Sequence, residues 1–475
     1  MAASLVASRP YAASSRAAHE LAGSWSGTLA CPDGSTPVYL RFDEAEDGTT
    51  SVRFDVPLTN IYAAPFGKLT EKDGGYELSP GFRFVLAGDV LTFTFPFGDR
   101  KFRAELKRGA TPLPEAPHAA TKIVQPAWTF ATKGAVWSSP AERDGHVYFG
   151  SADGSVYAVR AKSGERAWST PTGGAVMARP TIAGAHVFVP SDDGFLWKLD
   201  AASGAKLWTA DLHGASVKRD LPHEGVSKYD YLASAATIEE STVYVGSADG
   251  KLYALDAATG AEKWKFETKG LVRSTPAIAG GLVVFGSNDG SVYAVNARGE
   301  LAWKHATGDA VTSSPLVHDG RVYIGSRSAD VFAFDAADGK VLWRSWYWFS
   351  WVESSAAVRD GVLYVGSSDY QRVCAIDADD GRVAWTFDTD GSAWSSPAVT
   401  DSSVFVGATG VVGYAAGHRG AFFAVERASG KERWRFAVEP ASGDYTYGFA
   451  SSPAVADGLV FVGGLDGKLY AFPER

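Results

Sequence analysis

Seven times along the chain a glycine stands four residues before a tryptophan. Gly164, Gly204, Gly260, Gly299, Gly339, Gly381 and Gly430 precede Trp168, Trp208, Trp264, Trp303, Trp343, Trp385 and Trp434. With Trp128 added, successive tryptophans lie 40, 40, 56, 39, 40, 42 and 49 residues apart. A recurrence near 40 residues is the period of a four-stranded propeller blade. The glycine supplies the positive φ of a tight turn, and the tryptophan covers the gap between neighbouring sheets.

Each unit reads as four strands: one at a Ser-Ser-Pro-Ala element such as 138–141, one like Val243–Gly246, one like Leu252–Leu255, and one carrying the tryptophan. A lone four-stranded sheet leaves both faces bare, and a closed ring buries them against neighbours. The last unit stops at Leu469–Phe472, before a tryptophan strand of its own, whereas Trp128–Gly134 parallels Trp264–Gly270. The segment 123–131 is therefore expected to complete the last sheet, which gives eight blades.

The expected fold class is all-β: an eight-bladed propeller over 123–475, preceded by a small barrel or sandwich. Over 20–109, segments such as Leu91–Phe95 and Phe102–Leu106 alternate apolar and polar residues, as half-buried antiparallel strands do. Residues 110–122 carry three prolines and read as a stiff linker. Residues 1–19 read as a flexible tail without the apolar core of a signal peptide.

Composition narrows the function classes. A net charge of −9 without a basic run argues against nucleic-acid binding. No run reaches transmembrane length. The only two cysteines, Cys31 and Cys374, stand far apart, which fits neither a disulfide framework nor a thiolate metal site. The nine histidines show no metal spacing, so no metal is expected. The Asp-Gly pairs at 153, 193, 249, 289 and 466 occupy a fixed hairpin position and read as turns. No nucleophile elbow or phosphate-binding loop is present.

Blade geometry turns loop lengths into a map. Connections between blades, and between second and third strands, open on one face, and the long ones all lie there: 211–232, 344–352, 408–421 and 438–449. Insertions gathered on one face suggest a binding surface. Its candidate ligand-binding residues are Trp137, Trp351, Trp394, Tyr229, Tyr231, Tyr445, Tyr447 and Phe449, with His223 and His418 in two of the loops. Aromatics there serve equally as a platform or as packing over the channel. Aligning the blades on Ser-Ser-Pro places Trp137, Met177, Ala233, Arg273, Thr312, Glu353, Trp394 and Ala450 in a ring at the channel mouth. Arg179 sits one position before its own proline.

The units resemble the quinoprotein-type propeller repeat, with Gly150–Trp168, Gly246–Trp264 and Gly286–Trp303 the best matches. PQQ-dependent alcohol dehydrogenases and the outer-membrane assembly factor BamB, a non-catalytic scaffold, share that repeat. The dehydrogenase branch implies PQQ and calcium against an adjacent cysteine pair, and this chain has none, which disfavours that cofactor. Leu21–Leu29 resembles the small β-domain preceding the catalytic domain of some secreted bacterial α/β-hydrolases. The expected function is a ligand- or protein-binding scaffold using the enlarged face, most simply a monomer. The resemblance implies a periplasmic, cell-envelope or secreted location. The alternative is an enzyme with its active site in the central funnel: a diverged quinoprotein dehydrogenase, a hydrolase or a lyase.

Overall fold

The computed structural model describes residues 20–32, 34–44, 50–56, 61–79, 81–97, 100–109, 122–215, 217–223, 229–412 and 418–475. The expected tail, nearly all of the expected linker and the centres of two expected site loops (224–228 and 413–417) lie outside them.

The N-terminal unit is one curled sheet, a half-barrel. Its strands are β1 (Gly23–Cys31), β2 (Gly34–Glu44), β3 (Thr50–Val56), β4 (Ile61–Lys68), β5 (Thr70–Lys72), β6 (Gly75–Ser79), β7 (Phe82–Ala87), β8 (Val90–Phe97) and β9 (Arg100–Arg108). They are ordered β4-β3-β2-β1-β9-β8-β7-β6-β5. Only Leu69 separates the two edge strands in sequence, so the sheet curls to bring its edges together. The alternation read from the sequence sets its inner face: Leu91, Phe93 and Phe95 are buried in turn along β8, as are Phe102, Ala104 and Leu106 along β9.

Eight further sheets follow, each built on four antiparallel strands. The first seven take their strands in chain order. The eighth joins 454–456, 459–463 and 468–473 to Trp128–Ala131, with Trp128 opposite Ala471 and Ala131 opposite Lys468. The ring is thus closed by its own first strand. Just before it, 122–124 runs along the seventh blade: Val124 N–H donates to the Arg435 carbonyl and Arg435 N–H to that of Lys122, both about 3 Å away.

The glycine–tryptophan signature works between blades. A Cβ on Gly260 would lie 2.9 Å from the Trp208 ring, and one on Gly299 would lie 2.8 Å from Trp264. Each turn glycine, at positive φ, therefore receives the tryptophan of the preceding blade. The indole N–H then caps a carbonyl of that neighbour, as Trp264 does to Ala297 at 2.8 Å and Trp385 to Arg427 at 3.1 Å. Trp208 lacks this bond because Lys198, which stands where other blades have alanine, donates to the Ala257 carbonyl at 2.8 Å instead.

The curled sheet docks on the ring through the 344–352 segment. Phe102 meets Trp346 and Phe349 at ring separations of 5.7 and 4.6 Å, and Phe97 packs edge-on against both. Arg100 makes a bidentate bond to Asp330 at 2.9 and 3.0 Å and covers the Trp346 face at 4.4 Å. Arg344 reaches the same carboxylate at 3.2 Å. Burial outweighs both arginines and holds the Asp330 carboxyl above its ordinary pKa.

Candidate functional site

The segment leading into the first strand of every blade lines the central channel, a cavity of about 650 Å³. Trp137, Met177, Ala233, Arg273, Thr312, Glu353, Trp394 and Ala450 all border it, as does Arg179. The structure thus brings together the eight positions aligned on Ser-Ser-Pro.

At the enlarged face the channel is lidded. Trp137, Tyr229, Tyr231, Trp351 and Trp394 pack on one another with Met177 and Val411, and each is at least nine-tenths buried. Tyr231 stacks on Trp394 at 4.7 Å and leans on Trp137 at 5.5 Å. The Trp394 indole donates to Ser368 Oγ at 3.1 Å. The aromatics of this face, which read equally as a platform or as packing over the channel, pack into this lid and against the docked sheet. An apolar ring at a wide mouth gains more from its neighbours than from water.

Two charge networks fix the lid from below. Arg327 grips Glu353 through Nε at 2.9 Å and a terminal nitrogen at 2.6 Å, and lies 4.4 Å from the centre of the Trp351 ring. Tyr231 donates to the other Glu353 oxygen at 2.7 Å. Burial, with that carboxylate beside it, pushes the Tyr231 phenol well above its ordinary pKa. The second network links Asp192, Arg219, Asp230 and Arg273. Arg219 donates to Asp192 at 2.7 Å and to the Leu232 carbonyl at 2.6 Å, and Arg273 pairs with Asp230. The long 211–232 loop thereby folds inward on its own charges.

The remaining candidates lie elsewhere. Tyr445 is half-buried at the edge of the lid. Phe449 sits in the core shared by blades seven and eight, against Phe422 and Tyr470. Tyr447 donates to the His418 carbonyl at 3.2 Å. His418 is itself buried: its Nδ1 accepts the Val411 N–H at 2.8 Å, which leaves Nε2–H facing Ser392 Oγ at 3.3 Å. Desolvation lowers its pKa to about 4. His223 is exposed, 3.1 Å from Asp220. None of these lines the channel.

Below the lid, hydroxyls run round the channel. Ser139, Thr275, Ser314, Ser355, Ser396 and Ser452 each accept a backbone N–H from an adjoining blade at 2.8–2.9 Å. Arg179 takes the equivalent place in blade two and Ala235 in blade three, and neither side chain can accept that bond. Beneath the hydroxyls the cavity reaches Glu142 and Arg143, beside the Asp144–Gly145 hairpin turn of the opposite face.

Sequence reading missed Arg327 and the hydroxyl circuit. Arg327 stands where the repeat has an unspecified residue after Gly-Ser, so the motif does not mark it. The circuit was hidden in the second serine of Ser-Ser-Pro, which looks like part of the turn.

The quinone cofactor does not fit these residues. Cys374 is buried beside Tyr347, its thiol pKa pushed up to about 12, and Cys31 belongs to β1. Neither borders the channel, and the mouth carboxylates Glu353 and Asp230 are held by arginines. Among the described residues no group of His, Cys, Asp and Glu is arranged to hold a metal ion.

Comparison with known proteins places the ring. No curated protein matches the chain. Among solved structures, BamB from Moraxella catarrhalis is 19% identical with a TM-score of 0.56, covering 74% of this chain and 98% of that one. A computationally designed protein is 18% identical at TM-score 0.56, covering 72% and 97%. A quinohemoprotein alcohol dehydrogenase from Comamonas testosteroni is 15% identical at TM-score 0.56, covering 75% and 77%. A designed protein and a redox enzyme at such identities share the fold alone. The profile of the outer membrane protein assembly factor BamB matches residues 124–223, 215–345 and 288–475. With its whole ring covered by that profile, the chain belongs to the BamB family of eight-bladed propellers.

Proposed function

We propose that the protein is a non-catalytic binding propeller of the cell envelope that holds a small molecule in its central channel. The observation carrying this reading is the chemical sorting of the channel wall. The carboxylates at the mouth are tied to arginines, whereas Arg179 and the hydroxyl circuit remain turned to the cavity. At the level of the hydroxyls the wall offers hydrogen-bond donors, and the cavity's other carboxylate, Glu142, lies at its far end accepting the Gly145 N–H at 3.0 Å, an arrangement that suits holding a ligand rather than deprotonating one. The envelope location rests on the family alone.

The test is a thermal-shift screen of small molecules on the full chain, repeated with Ala450→Trp, which fills the channel. A channel ligand raises the wild-type melting temperature, loses that effect in the filled variant, and is recovered chemically unchanged after prolonged incubation. Conversion of the bound compound would make the protein an enzyme. A shift that survives channel filling would place the site elsewhere, on the enlarged face as a protein-binding scaffold would have it.

A further inference from the structure

Three features of the channel wall point the same way, and the ligand class they select rests on the binding function proposed above. Arg179 has no hydrogen-bond or ion-pair partner among the described residues, although the arginines of the lid networks, Arg219, Arg273 and Arg327, are each locked to a carboxylate. Its side chain is exposed at the channel wall, and partial desolvation there lowers its pKa, with no neighbouring acid to offset it. The Thr312 hydroxyl is buried without a partner and borders the same cavity. Each of the six circuit hydroxyls already spends an acceptor site on a backbone N–H. Its own hydrogen has no acceptor among the described residues.

The wall is therefore a belt of donors around one unpaired cation. Arg179 and the circuit hydroxyls are open to the channel, so a bound group rich in acceptor oxygens would take the place of water on them. From this we infer that the channel is an oxyanion site: Arg179 anchors a carboxylate or phosphate group of a small molecule, and the hydroxyl circuit donates to its remaining oxygens. A planar guanidinium suits both groups, because it presents parallel N–H donors to two oxygens at once. The body of the ligand then rises toward Met177 and Trp137, which border the same cavity under the lid.

Calorimetric titration of the full chain with citrate, inorganic phosphate and uncharged trehalose tests this. Arg179→Gln is the informative variant, since the side chain makes no bond that folding needs. Arg143→Gln, on an exposed arginine lower in the channel, is the control. The inference expects citrate or phosphate to bind with one-to-one saturation, at least tenfold more weakly in R179Q and unchanged in R143Q. A stronger response to citrate would identify the group as a carboxylate, and to phosphate as a phosphoryl group. Acid binding that R179Q leaves intact overturns the anchor. Trehalose binding in preference to both acids, lost in the channel-filled Ala450→Trp, overturns the oxyanion class and leaves the channel-binding function standing. Failure of all three probes to bind overturns the inference; the thermal-shift screen, which uses other compounds, then decides the broader function separately.

Discussion

His418 shows how far the same residue type can be read in opposite directions. In the sequence it stands amid glycines in a long loop of the enlarged face, where it reads as a solvated side chain and a candidate ligand group. In the fold it is a buried side chain whose neutral ring bridges Val411 and Ser392. Its pKa near 4, below the ordinary 6.5, has a definite consequence. Between those values the unfolded chain binds a proton that the native protein does not, so stability falls as pH falls through that window. The loss amounts to about 3 kcal/mol when complete. Chemical denaturation between pH 7.5 and 4.5 should show this slope in the wild type and a shallower one in His418→Gln. An unchanged slope would mean that other groups carry it. What decides the case is burial, and a single loop sequence does not encode which side of a blade it folds against. Arg179 and Arg273 make the same point: near-equivalent places in the repeat, yet the second is neutralised by Asp230, supplied from a loop 43 residues upstream.

Among the elements, 344–352 departs most from its sequence reading. Its aromatics read as one cluster, serving as a platform or as packing over the channel, but the chain turns within it. Trp346 and Phe349 face the curled sheet, while Trp351 faces the lid. The partners that divide them, Phe97 and Phe102, lie some 250 residues earlier in a unit whose docking no local pattern announces. The strands themselves were legible because alternation and turn chemistry are local. Hairpins such as Asp144–Gly145 and Asp360–Gly361 have both residues at positive φ, as their sequence predicts. Two substitutions test the docking. Phe349→Ala should cost about 3–5 kcal/mol, as removal of a buried aromatic does. Asp330→Ala should cost about 3 kcal/mol by leaving Arg100 and Arg344 without their shared carboxylate. Calorimetry should then separate the unfolding of the curled sheet from that of the ring. A single unshifted transition would contradict the interface.

At the scale of the whole molecule, the period of the tryptophans gives the ring, and the unfinished last unit together with the Trp128 strand gives the blade count and its closure. The signature had to report architecture, because each glycine is shaped to the tryptophan of another blade. Closure by Trp128–Ala131 makes the first strand a keystone. Trp128→Ala, which empties the space against Gly164 and Phe461, should cost about 3–5 kcal/mol in denaturant unfolding. Leu207→Ala, on an exposed outer-strand position, should stay within about 0.5 kcal/mol. Equal effects would mean that the ring is not held shut there. What the period could not give was the use of the channel, since function resides in departures from the repeat, and a departure reads the same whether it binds or merely drifts. A crystal structure of the protein soaked in citrate addresses that most directly. The account predicts a carboxylate on the Arg179 guanidinium, with its other oxygens on the hydroxyl circuit beneath the aromatic lid. Citrate bound only on the outer surface, with Arg179 turned onto a protein carboxylate, would contradict it.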